Sequence, residues 1–323
     1  MKKRILVAGA GGFIGHHMVR FLKNKGHWVR GVDIKDPEYS SKSEADEFIK
    51  LDIRNFDNCL KATNNIEWVF NFAANMGGIG YIETVNAEVM HDNVLINANI
   101  AEACKMNSVK KIFFPSSACI YSHSLTRTPK SPPLKETDAY PADPSNEYGW
   151  EKLFSERLYT SYFKDYGIEV RIARFHTIFG PETDFEGGRE KAPAAICRKV
   201  ALAKNGQDIE IWGDGRQTRT FLLVDDCVEA VYELMNSDFR KPLNISSDKL
   251  ITINQMVDLV CKIANKKLKK KHLINKPQGV RGRDADNTLR EKVLKWKPKH
   301  SLEEGFAKTY FWVESELSKE GRL

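Results

Sequence analysis

A tyrosine and a lysine four residues apart, Tyr148 and Lys152, are a pair whose types and spacing could do chemistry. On a helix this spacing places both side chains on one face, about one turn apart. A nearby ammonium ion favours the phenolate form and so lowers the pKa of a tyrosine. The pair therefore predicts a general base that takes a proton from an alcohol near neutral pH. Taken alone, it is more simply a surface tyrosine lying along a lysine stem, so the surrounding sequence must decide.

Small polar residues follow a predicted strand ahead of this pair. The apolar run 111–115 predicts the strand, and Ser116, Ser117 and Cys119 lie where it ends. Ligands of parallel sheets bind beyond the carboxyl ends of the strands, which makes these side chains candidates for a site. Most cysteines are small buried hydrophobic residues, and that is the alternative for Cys119. Its place beside Ser117 favours a functional thiol.

A glycine cluster follows the first predicted strand, residues 4–9, and opens a helix. Such glycines permit a tight turn and close backbone approach, while the start of the helix offers free N–H groups to a pyrophosphate. The second predicted strand ends in Asp33, 18 residues after Gly15, close to the spacing of about 20 for a carboxylate that binds an adenosine ribose. Its charge disfavours a 2′-phosphate, so NAD is expected rather than NADP. The candidate contacts in the turn are Gly9, Gly12, Phe13, Ile14 and Gly15.

Two further predicted strands end in residues suited to the same cofactor. Residues 47–53 end in Asp52 and Ile53, which could meet an adenine edge, and residues 68–74 end in Ala73 and Ala74, small enough for close approach or for packing. A glycine-rich loop (75–81) and a long helix (84–106) come next. Strands that alternate with helices in this way predict a doubly wound parallel α/β sheet of the Rossmann type, covered on both faces.

Composition sets limits on the function. The 323 residues carry a net charge of +7 and 41% apolar residues, as in an ordinary globular protein. No apolar run reaches the length of about 18 residues that spans a bilayer, and the first strand follows the N-terminus directly, so we expect a cytoplasmic protein without a membrane partner. Six scattered cysteines show no CxxC spacing and predict no metal site.

The positive charge could also indicate nucleic-acid binding, with the run 266–271 as its best local support. No aromatic residue interleaves with these lysines, and the stretch before them is amphipathic. We therefore interpret the run as the solvated end of a helix and expect no nucleic-acid partner. A mildly basic protein also suits a polyanionic small molecule.

The glycine motif, Ser117 and the Tyr148/Lys152 pair together resemble the extended short-chain dehydrogenase/reductases that act on nucleotide sugars, over essentially the whole chain. Five further stretches resemble the members of that family that epimerise a GDP-hexose: 76–80, 116–121, 187–195, 212–219 and 279–283. The resemblance implies an NAD-dependent isomerase with a GDP-sugar substrate. It also implies a Rossmann domain (1–180 with roughly 217–245) and a smaller α/β nucleotide-sugar domain (roughly 181–216 and 246–323).

The resemblance implies a role for each site residue. Tyr148, Lys152 and Ser117 would oxidise the sugar at C4, while Cys119 and Lys191 would exchange protons at C3 and C5, which the 4-ketone acidifies. Related 4,6-dehydratases carry an acidic pair where this chain has Ala118 and Cys119, so dehydration is not expected. A neighbouring cation such as Lys191 could bring the pKa of the thiol toward neutrality. The implied substrate contacts are Gly77, Gly78, Ser117, Cys119, Thr177, Lys191, Lys199, Arg219 and Arg281, with Arg281 on the diphosphate.

Two departures from the family pattern leave the identity of the sugar undecided. Thr177 stands where the family usually has an asparagine, and Asn75 replaces a residue that is often acidic. The alternatives are a C4 dehydrogenase or a single-centre epimerase of another GDP-hexose or a GDP-heptose. From other classes, a non-catalytic NAD-sensing protein and an RNA-binding protein remain. The helices around 84–106 and 148–165 are apolar enough to pair in a homodimer.

Overall fold

The computed structural model describes residues 2–39 and 42–323. The first half of the chain alternates strands with helices. In order, its elements are β1 (Arg4–Ala8), α1 (Phe13–Asn24), β2 (Trp28–Asp33), β3 (Glu47–Lys50), α2 (Phe56–Thr63), β4 (Trp68–Asn71), α3 (Ile79–Ile82), α4 (Asn86–Met106), β5 (Lys111–Ser117), α5 (Glu147–Tyr166) and β6 (Glu169–Phe175). Three short 3₁₀ turns join β5 to α5: Ala118–Ile120, His123–Thr126 and Glu136–Ala139.

The second half contains shorter strands. Its elements are β7 (Thr177–Phe179), α6 (Ala192–Leu202), β8 (Asp208–Trp212), β9 (Thr218–Leu223), α7 (Val224–Asn236), β10 (Leu243–Ile245), β11 (Leu250–Thr252), α8 (Ile253–Ile263), β12 (Lys269–Leu273), β13 (Gly282–Arg283), α9 (Thr288–Leu294) and α10 (Leu302–Lys319).

The main sheet is parallel throughout, in the order β10-β6-β5-β4-β1-β2-β3. Strands β1, β4 and β5 are apolar and almost completely buried, as expected where helices cover both faces of a sheet. The strand order reverses between β1 and β4, and a crevice forms beyond the carboxyl ends of such strands. The predicted doubly wound fold is confirmed.

A second core lies beside this sheet. Strand β9 pairs with β7, β11 and β13, while β8 pairs with β12. Helices α6, α8 and α10 pack together there around buried residues such as Val200, Val257 and Phe306. This second unit places its loops opposite the carboxyl edge of the main sheet, which lets both units line one cavity.

Two segments differ from what their sequence pattern indicates. Asp225 and Asp226 indicate a helix that begins within residues 221–226, and a helix does begin there, at Val224, but Thr218–Leu223 form strand β9. The lysine run was expected to end a helix, but α8 stops at Ile263 and Lys269–Leu273 form strand β12. Lysines of this run have structural partners: Lys266 Nζ donates to the Ala201 carbonyl oxygen at 2.6 Å. Within the described ranges, no helix is long and apolar enough to cross a membrane.

Candidate active site

A single cavity of about 1330 Å³ joins the two units. It is lined by every candidate site residue from the sequence except Arg281: Gly9, Gly12, Phe13, Ile14, Gly15, Asp33, Asp52, Ile53, Ala73, Ala74, Gly77, Gly78, Ser117, Cys119, Tyr148, Lys152, Thr177, Lys191, Lys199 and Arg219. Arg281 instead forms a two-pronged ion pair with Asp214, at 2.9 and 2.7 Å. Segments far apart in sequence therefore meet in one site.

Ser117 and Tyr148 meet because the turn after β5 lies against the start of α5. Asn146 caps that helix by accepting a hydrogen bond from the Gly149 N–H at 2.9 Å. A methyl group at Gly149 would lie 2.3 Å from the Cys119 carbonyl oxygen, so only glycine permits this approach. Both side chains of the predicted pair, Tyr148 and Lys152, are buried.

Burial reverses the expected direction of the Tyr148 pKa. Burial raises it most, and the charges of Cys119 and Glu151 raise it further, while a hydrogen bond with Ser117 and the charge of Arg283 lower it. The sequence-based prediction of a lowered pKa is therefore wrong for the protein without its ligands. Burial also lowers the pKa of Lys152, whose ammonium lies 5.6 Å from the centre of the Tyr148 ring.

Cys119 lies among cations. Arg283 Nη1 donates a hydrogen bond to its sulfur at 3.3 Å. Burial raises the pKa of the thiol, but the charge and hydrogen bond of Arg283, the Ser117 hydroxyl and the charge of Arg219 outweigh it and leave the pKa below its ordinary value. Arg283 is thus a site residue that the sequence reasoning missed. The resemblance of 279–283 implies a role for Arg281, and no sequence signal shows that Arg281 pairs with Asp214 while Arg283 contacts Cys119.

Lys191 lies on the loop that precedes helix α6 and lines the same cavity as the thiol. Burial lowers the pKa of Lys191, and the charge of Cys119 partly restores it. Arg219 is affected still more strongly: burial and the charge of Arg283 lower its pKa to about 9. One cavity therefore holds a thiol of lowered pKa and a partly buried lysine of lowered pKa, a combination suited to moving protons in both directions.

The loop that carries Lys191 is hydrogen-bonded to the loop after β4. The Gly78 N–H donates to the Arg189 carbonyl oxygen at 2.9 Å, and a methyl group at Gly78 would lie 2.4 Å from the Glu190 carbonyl oxygen. The Arg189 guanidinium donates to the Tyr81 hydroxyl at 2.7 Å, and that hydroxyl donates to Asn75 Oδ1 at 2.8 Å. Two hydrogen-bonded loops therefore lie together at the substrate end of the cavity.

The cofactor end fits a dinucleotide. Gly12 precedes α1 and has no side chain to cap it, so the first N–H groups of the helix can meet a pyrophosphate. Asp33 Oδ2 accepts a hydrogen bond from the Gly11 N–H at 2.9 Å, and the carboxylate lines the cavity. Asp52 pairs with Arg54 at 2.7 Å. In the described part of the chain, no group of three His, Cys, Asp or Glu side chains could hold a metal ion.

Known proteins resemble this chain over nearly its whole length. A profile of the NAD dependent epimerase/dehydratase family matches residues 5–246. The GDP-mannose 3,5-epimerase 1 of Oryza sativa subsp. indica is 46% identical over 320 residues, which are 99% of this chain and 84% of that protein. The Arabidopsis thaliana GDP-mannose 3,5-epimerase is 46% identical over 98% of this chain and 84% of its own. The crystal structure of Thermotoga maritima UDP-glucose 4-epimerase with UDP-glucose has a TM-score of 0.84 and 26% identity, covering 97% of this chain and 99% of that one.

Proposed function

The chain belongs to the NAD dependent epimerase/dehydratase family, and on that premise we propose that this NAD-dependent isomerase epimerises GDP-mannose at C3 and C5. The observation that carries the proposal is the position of Cys119. The thiol shares one cavity with Ser117 and Tyr148, and its sulfur accepts a hydrogen bond from Arg283. A 4-epimerase needs no such acid/base group beside the sugar, and a dehydratase needs a carboxylic acid.

The residues proposed to hold NAD are those of the cofactor end. The turn at Gly9–Gly15 and the start of α1 would bind the pyrophosphate, Asp33 the adenosine ribose, and Lys152 the nicotinamide ribose. Asp52, Ile53, Ala73 and Ala74 would line the adenine and the ribose path. NAD, when bound there, supplies the acceptor for the C4 hydride and returns the hydride at the end of the cycle.

Tyr148 is the proposed base for the 4-hydroxyl. Ser117 would hydrogen-bond the same oxygen, and the Lys152 ammonium would favour the phenolate once the site is filled. Because the 4-ketone that results is flanked by acidified C–H bonds, protons at C3 and C5 become removable. Tyr148 then returns its proton to the oxygen when C4 is reduced again.

Cys119 and Lys191 are the proposed pair for proton exchange. Arg283 and Arg219 favour the thiolate, which makes Cys119 the better proton acceptor. Lys191 carries an ammonium of lowered pKa and can deliver a proton to the opposite face of the carbanion. Removal on one face and return on the other inverts each centre.

Cations of the second unit are the proposed contacts of the GDP diphosphate. Arg219, Lys199 and Arg283 line the cavity. The resemblance implies a diphosphate contact for Arg281 as well. To make that contact, Arg281 would have to break its ion pair with Asp214. Gly77, Gly78 and Thr177 would face the sugar. We retain the proposed division into an NAD-binding domain (1–180 with roughly 217–245) and a nucleotide-sugar domain (roughly 181–216 and 246–323).

A homodimer through α4 and α5 is proposed as well. These helices pack together, and Trp150 and Phe154 leave large apolar side chains exposed on the outer face of α5. A second copy that presents the same two helices would cover them. The cytoplasmic location expected from the sequence stays a prediction.

Incubation with GDP-mannose in D₂O tests the function. We expect deuterium at both C3 and C5 of the recovered sugar, without accumulation of NADH, because the hydride returns to C4. Label at one carbon would identify a single-centre epimerase, accumulation of NADH a C4 dehydrogenase, and label at neither carbon would refute the proposal. Parallel incubation with other GDP-hexoses and a GDP-heptose would show whether Thr177, which is shorter than asparagine, shifts the preference to another sugar.

A further inference from the structure

A buried carboxylate beside the tyrosine and lysine pair has no role in the scheme above. Glu151 lies on α5, three residues after Tyr148 and directly before Lys152, and it is fully buried. Its Oε1 accepts hydrogen bonds from Asn97 Nδ2 at 2.9 Å and from the Ser155 hydroxyl at 2.8 Å. Its Oε2 has no hydrogen-bond partner among residues 2–39 and 42–323. Both partners of this carboxylate are neutral.

A second glutamate on the same helix shows how unusual this is. Glu156 is also buried, but it forms an ion pair with Arg174 at 2.8 Å and accepts a hydrogen bond from Ser116 at 2.6 Å. Burying a charge without a compensating charge is costly, so proteins usually pair it directly. Glu156 follows that rule. For Glu151 the compensating charge must lie farther away.

The residues around Glu151 fix its position. Asn97 comes from α4, and its Oδ1 accepts a hydrogen bond from Asn71 of β4 at 3.1 Å. Asn71 also donates to the Tyr159 hydroxyl at 3.0 Å. The negative charge of this carboxylate raises the pKa of three titratable groups on α5: Tyr148, Lys152 and Tyr159. Toward Tyr148, the charges of Cys119 and Arg283 act in addition.

We propose that Glu151 is a positioning residue whose carboxylate, fixed by Asn97 and Ser155, is the counter-charge that keeps Lys152 an ammonium ion inside the protein. Lys152 is nearly fully buried, and its ammonium lies 4.8 Å from the centre of the Phe114 ring. An aromatic face attracts a cation, but this attraction stabilises the ammonium ion much less than the hydration that it loses on burial. The negative charge of Glu151 supplies the remaining stabilisation of the Lys152 ammonium ion without direct contact. Glu151 does not touch substrate or cofactor.

The electrostatic consequences have a definite sign. Burial lowers the pKa of Lys152, and the charge of Glu151 opposes that effect. The same negative charge raises the pKa of Tyr148. Removing it must therefore lower both pKa values together, since a negative charge favours the protonated form of either group.

The pH dependence of NAD binding tests the proposal without any substrate. Calorimetric titration with NAD should show an affinity that falls at high pH, where Lys152 loses its proton. In Glu151→Gln this fall should come roughly one pH unit lower. Glu151→Met removes the same charge with different packing and should shift the fall equally, which separates charge from packing if one variant folds poorly. Ser155→Ala, the matched control, removes one of the two hydrogen bonds that fix the carboxylate but leaves its charge, and should shift the fall much less.

Turnover gives a second readout, which rests on the proposed function. Both limbs of the kcat profile should move to lower pH in Glu151→Gln, whereas a structural defect would lower the rate without moving the limbs. An unmoved pH dependence of NAD binding in both Glu151 variants, or an equal shift in Ser155→Ala, would overturn the inference. Failure of the wild type to label GDP-mannose would refute the proposed function alone, because the NAD-binding test does not depend on it.

Discussion

The cofactor end and the substrate end of the cavity are built by different means. At the cofactor end main chain lies against main chain: a methyl group at Gly15 would come within 2.0 Å of the Gly9 carbonyl oxygen, and one at Gly9 within 2.5 Å of the Ala73 nitrogen. At the substrate end, the long cationic side chains of Arg283 and Lys191 converge on Cys119 from separate segments. The first end is specified by shape and the second by charge.

This difference predicts how each end responds to substitution. A side chain added at the cofactor end excludes the dinucleotide at every pH, since it acts by volume. A cation removed from the substrate end leaves the volume nearly unchanged but alters which groups are protonated. Perturbations of the two ends should therefore be separable by their pH dependence.

The largest effect is expected from Cys119→Ala at the substrate end. Without the thiol the enzyme should still oxidise C4, because Ser117, Tyr148 and Lys152 remain. Deuterium exchange at C3 and C5 should fall roughly 100- to 10,000-fold, the usual contribution of one acid/base group. Mass spectrometry of the recovered sugar measures this loss, and absorbance of NADH reports the oxidation. Cys261→Ala, a partly exposed thiol of α8 outside the cavity, should behave as wild type; undiminished exchange in Cys119→Ala would remove the thiol from the mechanism.

Gly15→Ala tests the shape of the cofactor end. Because the added methyl group would meet backbone rather than a movable side chain, affinity for NAD should fall by roughly a hundredfold or more. The melting temperature should fall with it. Calorimetric titration with NAD and thermal denaturation measure the two effects.

Gly12→Ala is the matched control at the same turn. A methyl group there would have its nearest contact at 3.4 Å, and the backbone already has a φ of −86° that alanine adopts readily. This variant should keep the wild-type melting temperature but bind NAD more weakly, since its methyl group would point at the pyrophosphate site. Normal NAD binding by Gly15→Ala would show that close backbone packing does not define this end.

The same contrast explains what the sequence could predict. The cofactor end was predictable because its signals are local: a glycine turn after a strand, then Asp33 at a fixed spacing. The main sheet followed from the alternation of apolar strands with helices. The end of strand β9 was harder to predict, because its apolar residues run directly into helix α7, whose first turn carries Asp225 and Asp226.

The substrate end was less predictable because its determinants are long-range. Arg281 and Arg283 are equivalent in sequence, and only the fold shows that Asp214 binds the former while Cys119 meets the latter. The direction of the Tyr148 pKa also depends on burial, which the Tyr148/Lys152 spacing does not reveal. No sequence pattern indicates a role for Glu151, because that role depends on its hydrogen bond with Asn97 of α4.

Arg283→Met should change the ionisation of Cys119. The guanidinium lowers the pKa of the thiol, so its removal should raise that pKa and move thiolate reactivity to higher pH. Near neutral pH, alkylation of Cys119 by iodoacetamide should slow roughly tenfold, as for a shift of one pH unit. Peptide mass spectrometry distinguishes Cys119 from the other thiols.

Arg281→Met is the matched control for that experiment. It removes the ion pair with Asp214 but leaves the cation beside the thiol, so the alkylation profile should stay in place. A larger shift in Arg281→Met than in Arg283→Met would mean that the assignment of the two arginines is reversed. Either variant should leave NAD affinity nearly unchanged, because the cofactor end depends on shape.

The smallest effect is expected from Tyr81→Phe, which tests whether the substrate end also depends on shape. The variant loses the hydroxyl that joins Arg189 to Asn75 but keeps the ring, over which the Arg189 guanidinium lies at 4.2 Å. Losing hydrogen bonds worth about 1 kcal/mol should raise KM for the nucleotide sugar about fivefold, with little change in kcat. Tyr166→Phe, at an exposed tyrosine near the end of α5, is the control for loss of a hydroxyl. If KM does not change, the main-chain bond from Gly78 to Arg189 must hold the loop of Lys191 by itself, and backbone shape would then define both ends of the cavity.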